Sequence, residues 1–151
     1  MSFIDELKGY LDGMTCDYYE LDIMPVSTPR PRLGKYGVHN TTDYTNDKKS
    51  LSILLKKVKV QKREYKAINI ICEYPYPKST PKKHQIDGKL KDTKPDWDNL
   101  PKAVQDVITK SALLINKLGE TGDDGQISIG SVIKRYRTGI ETGKIKIWLY
   151  Y

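Results

Sequence analysis

The sequence predicts an α+β fold, a single domain in which a small mixed β-sheet packs against two main helices. Three observations carry this. Two segments repeat apolar residues at helical spacing: Leu51, Leu54, Leu55 and Val58, then Leu100, Val104, Val107, Ser111, Leu114 and Leu118. The run from Ala67 to Cys72 is compact and apolar, as a central strand is. Shorter stretches around Tyr19–Ile23, Ile127–Ile133 and Ile145–Leu149 alternate, which reads as half-buried strands. A chain of 151 residues suits one core, and no internal repeat or linker divides it.

The elements follow in order. Ser2, with Asp5 three residues on, opens a short helix reaching Leu11. After the first strand, Pro25, Pro29 and Pro31 remove backbone donors and leave Arg30 and Arg32 in an extended, exposed stretch. Gly34 and Gly37 prolong that loop. A helix from about Thr45 to Lys59 turns its leucines inward and its lysines outward. Residues 74–95 show neither period and read as a basic flexible loop. Between Lys78 and Lys94 it holds six lysines against two aspartates. Such a segment is either a solvated mobile loop or an arm whose Lys82, Lys83 and Lys94 grip phosphates. The clearest helix starts at Leu100, tolerates Pro101 in its first turn, and runs to Leu118 before Gly119 and Gly122. A strand over Ile127–Ile133, a turn over Thr138–Gly143 and a closing antiparallel strand complete the chain.

Composition excludes some classes. No apolar run approaches the ~18 residues a membrane span needs. The acidic start, with Asp5 and Glu6, is unlike an export signal, so the expected location is the cytoplasm. Cys16 and Cys72 are too far apart in sequence for a metal-ligand pair and read as reduced thiols. A net charge of +7 and a pI near 9.2 favour approach to a polyphosphate.

The chemistry lies in two acidic segments. Asp96 and Asp98 precede the clearest helix in an expected extended stretch, where residues two apart point the same way. Lys102, four residues beyond Asp98, falls near that side of the first helical turn. Asp123 and Asp124 stand between Gly122 and Gly125, just before a strand. Carboxylates gathered in one place repel unless a cation neutralises them, and hard oxygen ligands select Mg²⁺. Asp-x-Asp alone arises by chance in roughly one chain in three, whereas Asp-x-Asp-Asn-x-x-Lys arises on the order of once in a thousand. Structural alternatives stand beside each assignment. Asp96 and Asp98 could cap the helix, Asp123 and Asp124 could form a turn, and Lys102 could pair with Asp98 or Asp106. Trp97 reads as a core anchor or as a stacking surface for a base. Lys134 faces either DNA or plain solvent.

Pro95-Asp-Trp-Asp-Asn-Leu-Pro-Lys102, a helix carrying Asp106, and then Asp123-Asp-Gly-Gln-Ile127 resemble the RusA family of phage-derived Holliday junction resolvases. The early Pro29-Arg-Pro-Arg32 is similar to that family as well. The resemblance covers about Tyr19 to Tyr151 and leaves residues 1–16 as an N-terminal extension. Pro101 is a departure within the motif that leaves the acids undisturbed.

The resemblance implies a RusA-like fold and a homodimeric endonuclease that nicks two opposed strands of a four-way DNA junction in recombination and repair. It implies Mg²⁺ as cofactor, with Mn²⁺ as a substitute and no organic cofactor. It assigns Asp96, Asp98, Asp124 and Lys102 to catalysis. The metal falls to Asp96, Asp98 and Asp124, with Asp123 adjacent. The expected DNA contacts are Arg30, Arg32, Lys82, Lys83, Lys94 and Lys134. It also suggests a phage or prophage gene acting in a bacterial cytoplasm. A nuclease for other branched DNA and a non-enzymatic DNA-binding module are the competing readings.

Overall fold

The computed structural model describes residues 1–25, 32–39 and 42–151. Helix α1 (Phe3–Asp12) opens as its sequence dictates: the Ser2 hydroxyl accepts from the Asp5 N–H, and the Asp5 carboxylate accepts back from Ser2. Strand β1 (Cys16–Leu21) follows. Strands β2 (Arg32–Gly34) and β3 (Gly37–His39) pair as a small separate hairpin, in a segment expected to be loop throughout. Gly37, which follows the Lys35–Tyr36 turn and opens β3, has φ 117°, where a side chain would be strained. Helix α2 (Thr42–Lys57), strand β4 (Ala67–Pro75), helix α3 (Asn99–Lys110), strand β5 (Ile129–Arg137) and strand β6 (Lys144–Tyr150) complete the domain.

The main sheet is mixed, with strand order β1-β6-β4-β5. β4 runs antiparallel to β6 and parallel to β5. Register sets the core: Ile68, Ile70 and Cys72 lie opposite Leu149, Ile147 and Ile145, and all six are buried. Against them pack Leu51 and Leu55 of α2 and Leu100, Val104, Val107 and Ile108 of α3. Each of these side chains contributes on the order of 1.5–3 kcal/mol when removed from water. The opposite face carries Ile71 and Glu73 of β4 beside Lys146, Trp148 and Arg135.

Three expectations about the elements need correction. The last helix stops at Lys110, not Leu118. Ala112 takes a left-handed φ of 54°, and Leu114 then bridges to Arg63 in extended conformation. The helical spacing of Leu114 and Leu118 is coincidental: Leu114 is buried from an extended segment and Leu118 is exposed. β5 and β6 are not hydrogen-bonded neighbours. β4, the most apolar strand, takes the place between them. On β5 the alternation points the other way: Val132 and Tyr136 meet the core, while Ile133 is exposed.

The parallel β4–β5 pair positions the site. Parallel neighbours need a crossover, and here it carries α3 together with the lysine-rich segment that precedes it. That segment lies along the outer edge of β5. Gly88 and Lys91 donate backbone N–H groups to Tyr136 and Lys134, and Leu90 bridges Arg135. Among the described residues no helix is long and apolar enough to cross a membrane.

Candidate active site

An open cleft of roughly 750 Å³ lies where the edge segment turns into α3, and Lys91, Lys94, Asp96, Trp97, Asp98 and Lys134 contribute to its wall. With Asp92 its wall carries three lysines against three aspartates, so acids and bases alternate on one concave surface.

Asp96 and Asp98 both line this cleft, but not by extended geometry. The Asn99 N–H bonds back to the Asp96 carbonyl, so the chain is already turning, and Asp98 has helical dihedrals. Asp98 occupies the N-cap position of α3 yet makes no side-chain capping bond, so its carboxylate is not consumed by the helix. Asp96 takes both oxygens to Lys94 Nζ, at 2.6 and 2.7 Å, in a pair whose members are 52% and 83% exposed. Trp97 is 64% exposed, which removes the core-anchor reading. An indole between two acids on the rim of a cleft is a platform for a flat ligand group.

Lys102 is exposed and makes no ion pair among the described residues, so it is not occupied by Asp98 or Asp106. It lies on a stripe of α3 that runs Asp98, Lys102, Gln105, Thr109 at helical spacing. Asp124 meets the far end of that stripe. Its Oδ1 accepts from Thr109 Oγ1 at 2.5 Å, and its carbonyl accepts from Gln105 Nε2 at 3.4 Å. Asp123 caps the short 3₁₀ turn Asp124–Gln126 by accepting the Gly125 N–H at 2.7 Å. A Cβ at the flanking Gly122 would come within 2.1 Å of Gln126 Oε1, so a side chain there would displace the Gln126 amide from the Ile115 carbonyl it holds.

Asp96 and Asp98 therefore share one cleft, while Asp124 is tied to Gln105 and Thr109, roughly two to three helical turns along α3 from Asp98. Among the described residues no cluster of three or more Asp, Glu, His or Cys side chains is close enough to hold a metal. Two carboxylates in an open, wet cleft are nonetheless a sufficient protein contribution for Mg²⁺, which keeps several waters and takes further oxygens from a phosphate.

The remaining expected contacts are spread out. Lys82 and Lys83 sit exposed on a 3₁₀ turn, away from the cleft wall. Arg30 lies outside the described residues. Arg32 is described only as backbone in β2. Lys134 belongs to the cleft, but its ammonium is turned to the backbone carbonyls of Thr93 and Pro95. Four residues of the site escaped the sequence reading: Lys91, Asp92 and Thr93 in the cleft wall and Thr109 on the helix. Thr109 could have been found by extending the Asp98–Lys102 spacing along the helix; nothing in sequence singled Lys91 out from its neighbouring lysines.

A family profile described as endodeoxyribonuclease RusA matches residues 22–147, most of the chain. A search of curated proteins finds no match.

Proposed function

Because the chain belongs to the RusA endodeoxyribonuclease family, we propose that it is a Mg²⁺-dependent endonuclease that resolves four-way DNA junctions by paired nicks. The observation carrying this reading is the shared cleft: Asp96 and Asp98, with Asp92, an exposed indole and three lysines, stand on one concave surface in a family of DNA-cutting enzymes. Compartment and origin follow the same reading: a bacterial cytoplasm and a phage or prophage gene.

Asp96 and Asp98 would hold the metal, which when bound supplies a more acidic water and a Lewis acid for a phosphate oxygen, with Mn²⁺ as a substitute. The chain's own residues do the rest. Lys94 balances Asp96 before DNA arrives and is exposed enough to swing to a phosphate. Lys102, one turn along from Asp98 and without an ion pair among the described residues, stabilises charge on the non-bridging oxygens or the leaving oxygen. Trp97 offers its face to a base beside the cut. Asp124 is assigned the third carboxylate, and Asp123 its neighbour, on the family motif alone. Arg30, Arg32, Lys82 and Lys83 extend the phosphate contacts. A homodimer with two-fold symmetry matches a junction with approximate two-fold symmetry and places two sites on opposed strands.

The test uses purified protein, Mg²⁺ and a synthetic four-way junction. Symmetric cutting by the parent, lost in Asp98→Asn and Asp124→Asn with junction binding retained, is expected. A parent that cuts no DNA overturns the function; variants that cut as well as the parent overturn the site.

A further inference from the structure

We propose that Lys134, assisted by Lys91, is a positioning residue: their two ammonium groups clamp three successive backbone carbonyls immediately before Asp96. Lys134 Nζ donates to the carbonyls of Thr93 and Pro95, both at 2.6 Å. Lys91 Nζ donates to the carbonyl between them, that of Lys94, at 2.6 Å, and to the Thr93 hydroxyl. The peptide groups leading into the acid motif are thus each fixed by a charged donor.

Both lysines are themselves anchored. Lys134 stands on β5, where its backbone carbonyl accepts the Lys91 N–H at 2.9 Å. The Lys91 ammonium lies over the rings of Tyr74 and Tyr136, at 5.3 and 5.4 Å from their centroids. Tyr136 in turn stacks on Tyr76 at 4.4 Å. The chain from Thr93 to Pro95 has no helix or strand of its own to hold it. Its conformation is therefore set from outside, by the sheet through these side chains.

Charge-assisted bonds to carbonyls are about twice as strong as neutral ones. Three of them, with a fourth bond to the Thr93 hydroxyl, converge on the three residues before Asp96, so the direction of that carboxylate depends on β5. A lysine reading DNA would instead present its ammonium to solvent. Two donors of Lys134 are already committed to the chain's own backbone. Outer residues that orient metal-binding groups typically change affinity or activity 10- to 100-fold when removed.

The catalytic arm of this proposal rests on the nuclease reading; the structural arm does not. In a Trp148→Phe background, Trp97 becomes the single tryptophan and reports on the loop. Lys134→Met should shift Trp97 emission and speed hydrogen exchange of the amides from residue 93 to 98. With Mg²⁺, junction cleavage should fall about 10- to 100-fold in turnover while junction binding stays within about 3-fold of the parent. Lys134→Arg, which still bridges two carbonyls, should recover most of the turnover. Should Lys134→Met not fold, Lys91→Met gives the same pattern at smaller size. If the loop amides exchange as in the parent, the proposal is overturned. It is equally overturned if the main effect is weaker binding with a shallower salt dependence, which would make Lys134 a phosphate contact. If the parent cuts no junction, the nuclease reading fails, and the emission and exchange results still decide the clamp.

Discussion

Replacing Glu73 by Gln removes the one charged side chain buried among the described residues, and the cost can be worked from its partners. Glu73 is 2% exposed on the sheet face opposite the helices. Its Oε2 accepts from Arg135 at 2.8 and 2.9 Å and faces Arg137 at 3.4 Å; Oε1 faces Lys146 at 3.3 Å. Breaking a buried pair typically costs ~3–5 kcal/mol because the partner charge is left uncompensated. Arg135 and Lys146 keep 25% and 19% of their side-chain exposure, and Arg137 keeps 40%, so water recovers part of this. Gln also retains one acceptor oxygen for Arg135. The expected net loss is ~3 kcal/mol, against a total stability of ~5–15 kcal/mol. With a urea slope near ~2 kcal/mol/M, the midpoint should fall by about 1.5 M. Arg137→Gln should cost less than ~1 kcal/mol, since Arg137 is the most exposed partner and also meets Asp87 at 3.4 Å. Urea unfolding followed by circular dichroism measures both. A Glu73→Gln midpoint within about 0.3 M of the parent at unchanged slope, or a larger loss in Arg137→Gln, would refute the reasoning.

Lys94→Ala removes one exposed ion-pair partner of Asp96, worth ~0.2–1 kcal/mol, so the Mg²⁺ concentration giving half-maximal cleavage should fall about 1.4- to 5-fold; an unchanged or higher requirement contradicts the competition between Lys94 and metal. Cys72 is buried, and burial pushes its thiol up to about 12; the Cys16 thiol is also raised, chiefly by atoms packed on the sulfur although the residue as a whole is exposed. A disulfide reagent at mildly alkaline pH should therefore modify Cys16 slowly in the native protein and Cys72 only on unfolding, and equal native rates would count against the packing of β4. Burial likewise raises the phenols of Tyr65 and Tyr74, and that of Tyr18 to about 12. Folding thus favours the neutral phenols: this contribution is complete below the unfolded value of ~10 and is lost as pH rises through the folded values. Stability should decline above pH ~10, with the phenolate absorbance of these residues appearing together with unfolding; ionisation of every tyrosine in a native fold would exclude it.

The sequence reading succeeded where a periodic pattern met a single environment. The α3 stripe of Leu100, Val104 and Val107 and the β6 alternation of Ile145, Ile147 and Leu149 face one core and are buried as their spacing requires. It went astray where one signal serves two structures. Leu114 continues the helical period, yet its burial is reached after Ala112 breaks the helix. Ile129 and Ile133 alternate correctly for a strand, but alternation does not say which face meets the helices, and here β4 decides by its register. The acids show the same division. That Asp96 and Asp98 share a surface was legible from their spacing, although a turn and not an extended chain brings them there. That Asp124 bonds to Thr109 was not legible, because it depends on where the segment after α3 returns to the helix.

The two acidic segments are held very differently, and this bears on how one site could use both. The chain before Asp96 is fixed by four lysine hydrogen bonds that reach it from outside the acid motif. Among the described residues the Asp124 carboxylate is held by one hydroxyl. That hydroxyl also contacts the Gln105 carbonyl at 2.9 Å, so its single proton has an alternative acceptor on the helix itself. Releasing Asp124 therefore costs less than a full charged hydrogen bond, whose ordinary worth is ~1.5–3 kcal/mol. Moving the Asp96 side would mean breaking several such bonds at once. If the carboxylates are to act together on one phosphate, the economical motion is on the Asp124 side, with Asp96 and Asp98 as the fixed half toward which it moves.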